Sequence, residues 1–406
     1  MLLAITADLH LPAGRAGRPA RDDRERLVLG TWREALKLAN DAGADAMVVA
    51  GDVFDTPCPA PWQVGNFAAA ARIEAGCPVY LMAGNHDVED KWRHALMAFP
   101  YSGESAGIGP MGGAGDVRYI GLDRYSLAEG MCEALSVPYE PHSALGGDWL
   151  GGKLKFMQLP SSKRGIPKRI LISHLGIAAD DSPEYMRHGR DVISVSELLA
   201  LQRSYGISAA FLGNWHGERD FLGDPEHRAY QIGALCPTGF DNPGPQGAYG
   251  RILLYDTVAR EVRALRARHP TYQMLDAEEG IALLTERILI AQSSAEGVER
   301  MFDHAVDHYR VRVRSEEERA AVLAISAAIE KIGLLAPFVR VAPVWAAEIA
   351  EEARDRSTSA AEVVRSAGAL TLEQRIARYV EAKGVREGID PSQVVQIACA
   401  HARGRA

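Results

Sequence analysis

Five polar clusters punctuate the first half of the chain, and each closes an apolar run: Asp8-x-His10, Gly51-Asp52 with Asp55 following, Gly84-Asn85-His86-Asp87, Ser173-His174, and Gly213-Asn214-Trp215-His216. Carboxylate, imidazole and amide oxygen together suit Mn²⁺, Fe²⁺ or Zn²⁺. A carboxylate such as Asp52 can bridge two ions roughly 3.5 to 4 Å apart, the spacing that clamps the attacking and leaving oxygens of a phosphoryl displacement. Glycine ahead of the ligands lets the backbone turn tightly and approach the ions. Each cluster alone has an ordinary explanation, since D-x-H arises by chance, a strand-end Asp often caps a helix, and a lone buried His is usually satisfied in the core. Five in series point to a metal centre.

Strands and helices in alternation are what would carry these clusters to one edge. "LLAITADLH" reads as a buried strand, "RERLVLGTWREALKLANDAG" as an amphipathic helix closing on Gly43, and "DAMVVAGD" as a second buried strand. "WQVGNFAAAARIEAG" and "PVYLMAGNHD" repeat the pattern, as do "KRILISH", "SVSELLALQRSYG" and "ISAAFLGNWH". The expectation is an α/β fold, a layered sheet flanked by helices with functional groups at the carboxyl ends of its strands. The glycine-rich stretch of about residues 93–160 should hold loops and short strands, and "AYQIGALCPTGF" and "AYGRILLYDT" look like paired strands. From about 271 alanine and glutamate rise: "HYRVRVRS", "EEERAAVLAISAAIEKIG" and "PFVRVAPVW" form a small strand-helix-strand module. Only helix signals follow, with a Thr371/Gln374 capping box and an Asp390-Pro391 start. Three domains are expected: 1–265, 266–345 as a small α+β cap, and a helical segment 346–406.

The 406 residues, 47% hydrophobic and 24% charged, are ordinary globular usage, and five scattered cysteines without a C-x-x-C pair support neither a disulfide framework nor a zinc knuckle. No run approaches the roughly 18 apolar residues of a membrane span, so a cytoplasmic location is the default. A net charge of −8 argues mildly against nucleic-acid binding by bulk charge. The arginine series Arg15, Arg18, Arg21, Arg24 and Arg26 and the cluster Lys163, Arg164, Lys168 and Arg169 read as solvated faces more readily than as phosphate tracks. "GDWLGGKL" matches most of a phosphate-loop pattern but has Leu154 where Ser or Thr must stand, and it is set aside.

D-x-H, G-D-x-x-D, G-N-H-D, a lone His and G-x-x-H, in this order, resemble the calcineurin-like metallophosphoesterase superfamily. "GDVFD", "GNHD" and "YQIGALCPTGF" make the chain similar to its SbcD-like nuclease subunits of DNA double-strand-break repair. The resemblance implies that Asp8, His10, Asp52 and His216 surround one divalent ion, while Asp52, Asn85, His174 and residue 214 surround a second. His86 becomes the catalytic imidazole beside the leaving oxygen, with Asp55 or Asp87 orienting its ring. It also implies Mn²⁺ as the ion, with Mg²⁺, Fe²⁺ or Zn²⁺ as alternatives. The implied partners are DNA, an SbcC-like SMC-type ATPase docked on the terminal helices, and a second copy of the chain, in a bacterial or bacteriophage setting without a membrane. Asn214 departs from the family's usual G-H-x-H. Its amide oxygen is a neutral, harder donor than imidazole, so the second site should be weaker, for Zn²⁺ more than for Mn²⁺ or Mg²⁺. Water, Glu218, His188 or His227 are the other candidates for that place. The leading expectation is a DNA exo- or endonuclease subunit. The alternatives are a phosphodiesterase or phosphatase acting on small phosphoesters, and a catalytically weak subunit that binds DNA ends or the ATPase.

Overall fold

The computed structural model describes residues 1–11, 21–90, 93–102, 108, 113–127, 132–141, 146–157, 159, 168–179, 191–238, 249–293, 307–332 and 339–346. The expected helical segment 346–406 therefore lies almost wholly outside the described residues. In chain order the strands are β1 (Leu2–Thr6), β2 (Ala46–Ala50), β3 (Val79–Met82), β4 (Val88–Asp90), β5 (Arg93–His94), β6 (Tyr101–Ser102), β7 (Val117–Ile120), β8 (Asp123–Leu127), β9 (Cys132–Val137) and β10 (Lys168–Ser173). They continue with β11 (Gly176–Ala178), β12 (Val192–Ser194), β13 (Ile207–Leu212), β14 (Arg219–Phe221), β15 (Arg228–Gln231), β16 (Arg251–Asp256), β17 (Val262–Arg266), β18 (Thr271–Asp276), β19 (Asp307–Val313) and β20 (Val339–Trp345). The α-helices are α1 (Arg21–Asp41), α2 (Pro61–Glu74), α3 (Gly147–Phe156), α4 (Val195–Tyr205), α5 (Ala277–Ser293) and α6 (Glu316–Lys331).

Two mixed sheets face each other, one of seven strands in the order β17-β16-β1-β2-β3-β7-β6 and one of six in the order β14-β15-β13-β10-β9-β8. Strands β1, β2, β3 and β13 are almost unbroken apolar runs, and β10 has the apolar centre Ile170–Leu171–Ile172, because both of their faces are covered. One set of alternate residues (Ile5, Val48, Met82, Ile172, Phe211, Tyr230) fills the space between the sheets. The other set packs outward, under α1 and α2 on one side and under α3 and α4 on the other. Trp32 stacks on Phe67 at 4.9 Å, joining α1 to α2, and full burial of such a ring is worth about 1.5–3 kcal/mol. Helix α4 starts with a reciprocal Ser194/Glu197 capping box, and it ends on Gly206 in the left-handed conformation. The result is a layered α/β fold, two sheets flanked by helices.

Three expectations change. β15 and β16 do not pair: β15 lies beside β13 and β14 in one sheet, and β16 lies between β1 and β17 in the other. β15 is the short, half-polar RAYQ and β16 the longer, mostly apolar RILLYD. Phe211 of β13 stacks on Tyr230 of β15 within one sheet and meets Tyr255 of β16 across the gap, which shows what each strand packs against. Within the glycine-rich middle, "GDWLGGKLKF" forms α3, held by Leu150 and Leu154 beneath it, so no phosphate loop exists there. The C-terminal module also has one strand more than expected. β18, β19 and β20 form a separate parallel sheet, with α5 and α6 packed on a single face through Tyr309, Val311, Val313, Val322 and Ile329.

Candidate metal centre

Parallel pairing sets the site. β1, β2 and β3 run side by side in the same direction, as do β10 and β13, so the residues following each strand emerge along one edge. The backbone then bends sharply. Asp8, His10, Asp52 and Asn214 all have positive φ (53°, 49°, 51° and 83°), and among the described residues only Arg260 joins them outside glycine. Left-handed backbone at non-glycine residues costs on the order of 1–3 kcal/mol each, and Asp, Asn and His are among the types that tolerate it best. Gly51, at φ 97°, is also pressed against the His174 ring: a Cβ there would lie 2.0 Å from Nδ1. At Gly84 a Cβ would meet Asp52 Oδ1 at 2.2 Å.

Three groups of ligand atoms converge within 4.8 Å of one another: Asp8, His10 and His216; Asp8, Asp52 and His174; and His10, Asp55 and His86. His10 Nε2 lies 2.9 Å from His216 Nε2 and 3.6 Å from Asp52 Oδ2. On the other side of Asp52, His174 Nε2 is 3.4 Å from Asp52 Oδ2 and 3.0 Å from Asn85 Oδ1. The carbonyl of Ala50 accepts from His174 Nδ1 at 2.9 Å, which leaves Nε2 facing the carboxylate. Asp52 thus stands between two donor sets, Asp8/His10/His216 and His174/Asn85.

Electrostatics favour cations here. Asp8, Asp52 and His174 are at most 2% exposed. Burial, reinforced by the Asp52 charge, pushes the Asp8 carboxyl up to about 7. For Asp52 burial acts in the same upward sense, but the charges of His174, His10 and His86 overcome it and hold the group below the usual carboxylate range. Burial likewise disfavours charge on His174, yet Asp52 and Asp8 outweigh it and raise the imidazole to about 10. His216 is depressed to about 4 by burial and by its histidine neighbours. Adjacent buried carboxylates and two imidazole nitrogens aimed at one point form a donor set that fits divalent ions.

His86 stands at the mouth, 45% exposed, with its backbone N–H on Asp52 Oδ1 at 2.8 Å. Of the two carboxylates expected to orient its ring, Asp55 lies 4.0 Å from His86 Nδ1 but accepts from His10 Nδ1 at 2.9 Å. Asp87 does neither. Its oxygens accept the backbone N–H groups of Val53, Phe54 and Gly84, so it ties the loop after β3 to the loop after β2, and the expected orienting role is corrected to a structural one. Asn214 also has a structural task. Its backbone N–H donates to both Asp8 oxygens at 3.2 and 3.1 Å, and its side-chain Nδ2 donates to the Asp191 carbonyl at 3.1 Å, leaving only Oδ1 as a metal donor. The alternatives do not join the cluster: Glu218 pairs with Arg266 and Arg251, His227 faces Asp224 at 3.3 Å, and His188 lies outside the described residues. Two basic residues read as solvated are engaged elsewhere. Arg24 reaches Asp55 at 3.4 Å, and Arg169, 2% exposed, is buried against Glu133 at 2.8 Å.

A family model of calcineurin-like phosphoesterases matches residues 1–218, more than half of the chain. The chain belongs to that family. Members use divalent metals to hydrolyse phosphoesters, and the Asp/His groups above are where this member would hold them. Solved structures with some likeness include the protein TT1561 of Thermus thermophilus, at 15% identity and TM-score 0.40, covering 66% of this chain and 99% of that one. A dimetal phosphatase from Danio rerio is 12% identical at TM-score 0.39, covering 66% and 98%. Likenesses this distant carry no information about what the chain acts on. Among the described residues no helix is long and apolar enough to cross a membrane.

Proposed function

We propose that this metallophosphoesterase cleaves phosphodiester bonds in DNA, as the nuclease subunit of an SbcCD-like end-processing complex. Asp8, His10, Asp52 and His216 would hold one divalent ion, and Asp52, Asn85 and His174 the other, with Mn²⁺ the expected metal. Bound ions supply Lewis-acid polarisation of the phosphoryl oxygens and acidify an attacking water. The protein's own contribution is positional. Asp52 lies between the two donor sets, and the Ala50 carbonyl and Asp55 fix the ring orientations of His174 and His10. Exposed at the mouth, His86 is placed to stabilise or protonate the departing oxygen.

The observation that favours DNA over a small phosphoester is the sheet face of β18–β20 opposite the described helices α5 and α6. Alternation puts Tyr272, Met274, His308, Arg310, Arg312 and Arg340 on that face, opposite the buried Tyr309, Val311 and Val313. Tyr272 stacks on His308 at 4.7 Å and 14°, and Arg312 is shared with Asp276 at 3.1 Å. Aromatic planes interleaved with arginine suit nucleic-acid strands. In this reading residues 346–406 dock an SMC-type ATPase and the chain works as a homodimer. Against it stands the net charge of −8, which favours a second reading, a phosphodiesterase or phosphatase for small phosphoesters.

The deciding experiment offers purified protein linear double- and single-stranded DNA with Mn²⁺, with and without the ATPase, beside p-nitrophenyl phosphate and its bis-ester. Cleavage of DNA is expected. Turnover of the small esters far faster than DNA selects the second reading, and no cleavage under any divalent ion refutes the first.

A further inference from the structure

We propose that Arg24 is a positioning residue of the first metal site, acting through Asp55 on His10. The side chains form a chain of contacts. Arg24, in the first turns of α1, places Nη1 3.4 Å from Asp55 Oδ2. Asp55 Oδ1 then accepts from His10 Nδ1 at 2.9 Å, and His10 Nε2 faces His216 Nε2 at 2.9 Å. A proton on His10 Nδ1 leaves the lone pair on Nε2, the atom that converges with Asp8 and His216 on the first donor set.

Asp55 needs help to hold that orientation. Its side chain is 24% exposed, on a loop that delivers it beside two imidazoles, with His86 Nδ1 only 4.0 Å from the same oxygen. A carboxylate with one oxygen free in such a place can swing toward water or toward His86. The Arg24 guanidinium occupies Oδ2 and so settles which oxygen His10 receives. Among the described residues Asp55 is the one hydrogen-bond partner of Arg24, whose buried Nε has none.

This role rests on the metal-centre reading and is indifferent to whether the substrate is DNA or a small phosphoester. The test is calorimetric titration of the metal-free full chain with Mn²⁺, reading the tighter of the two binding events. Asp55→Asn should weaken it about 10- to 100-fold, the usual effect of losing a ligand's hydrogen-bond partner, and Arg24→Gln, one contact further out, about fivefold. Arg24→Lys should recover most of the loss. The Arg24→Gln/Asp55→Asn double variant should bind no more weakly than Asp55→Asn alone, because the two residues act in series. Additive losses, or an Arg24→Gln protein that binds Mn²⁺ like the parent, would overturn the relay. A parent chain that binds no divalent ion would overturn the metal centre itself.

Discussion

Metal binding at the second donor set should expel a proton, and its affinity should climb steeply with pH. The perturbation is pH alone. In the metal-free centre His174, pressed between Asp52 and Asp8, has its imidazole raised to about 10. Its Nε2 is the donor the second ion needs, and a protonated nitrogen cannot ligate. pH 7 lies about three units below that value, so removing the proton costs about 4 kcal/mol and weakens the ion roughly a thousandfold, at about 1.36 kcal/mol per unit. The handicap should shrink about tenfold with each pH unit up to 9. The assay is Mn²⁺ titration at pH 6, 7, 8 and 9, with proton release counted at pH 8 from buffers of different ionisation enthalpy. About one proton per second-site ion is expected. A second-site affinity that moves less than about threefold between pH 7 and 9, or binding without proton release, would refute the reasoning. The same shift carries a stability prediction for the metal-free protein. A histidine raised from 6.5 contributes stability that is complete below pH 6.5 and lost as pH rises through about 10, so the metal-free fold should weaken across that window.

Four further substitutions separate the roles of the residues. His86→Ala should lower turnover about 10²- to 10⁴-fold while leaving bound metal unchanged by elemental analysis, whereas Asp52→Ala should lose ions as well as activity. Asn214→His should tighten the second Mn²⁺ roughly tenfold, because an imidazole replaces an amide whose nitrogen is held by the Asp191 carbonyl; equal affinities in the two proteins would show that position 214 does not ligate. Asp307, 3% exposed, accepts from Thr271, Arg287 and Tyr309, so Asp307→Ala should destabilise the β18–β20 module by about 3–5 kcal/mol, seen as faster amide exchange in β19 with Mn²⁺ binding unaltered.

The strand ends and their donor groups were legible in the sequence because both signals are local. An apolar run of four to six residues followed by Gly, Asp, His or Asn declares a buried parallel strand and a tight polar turn whatever the rest of the chain does. What each donor faces was not legible. Asp55 serves His10 rather than His86, Asp87 staples two loops, Asn214 holds Asp8 from 206 residues away, and Arg24 belongs to the site and not to a solvated face. Only the packing of two sheets against each other assigned the strands β15 and β16 to different sheets. Residue type and spacing set which groups reach the edge of the sheets. Which oxygen meets which nitrogen depends on the register of parallel strands and on four residues bent into left-handed backbone, conformations that the packed layers around them hold in place.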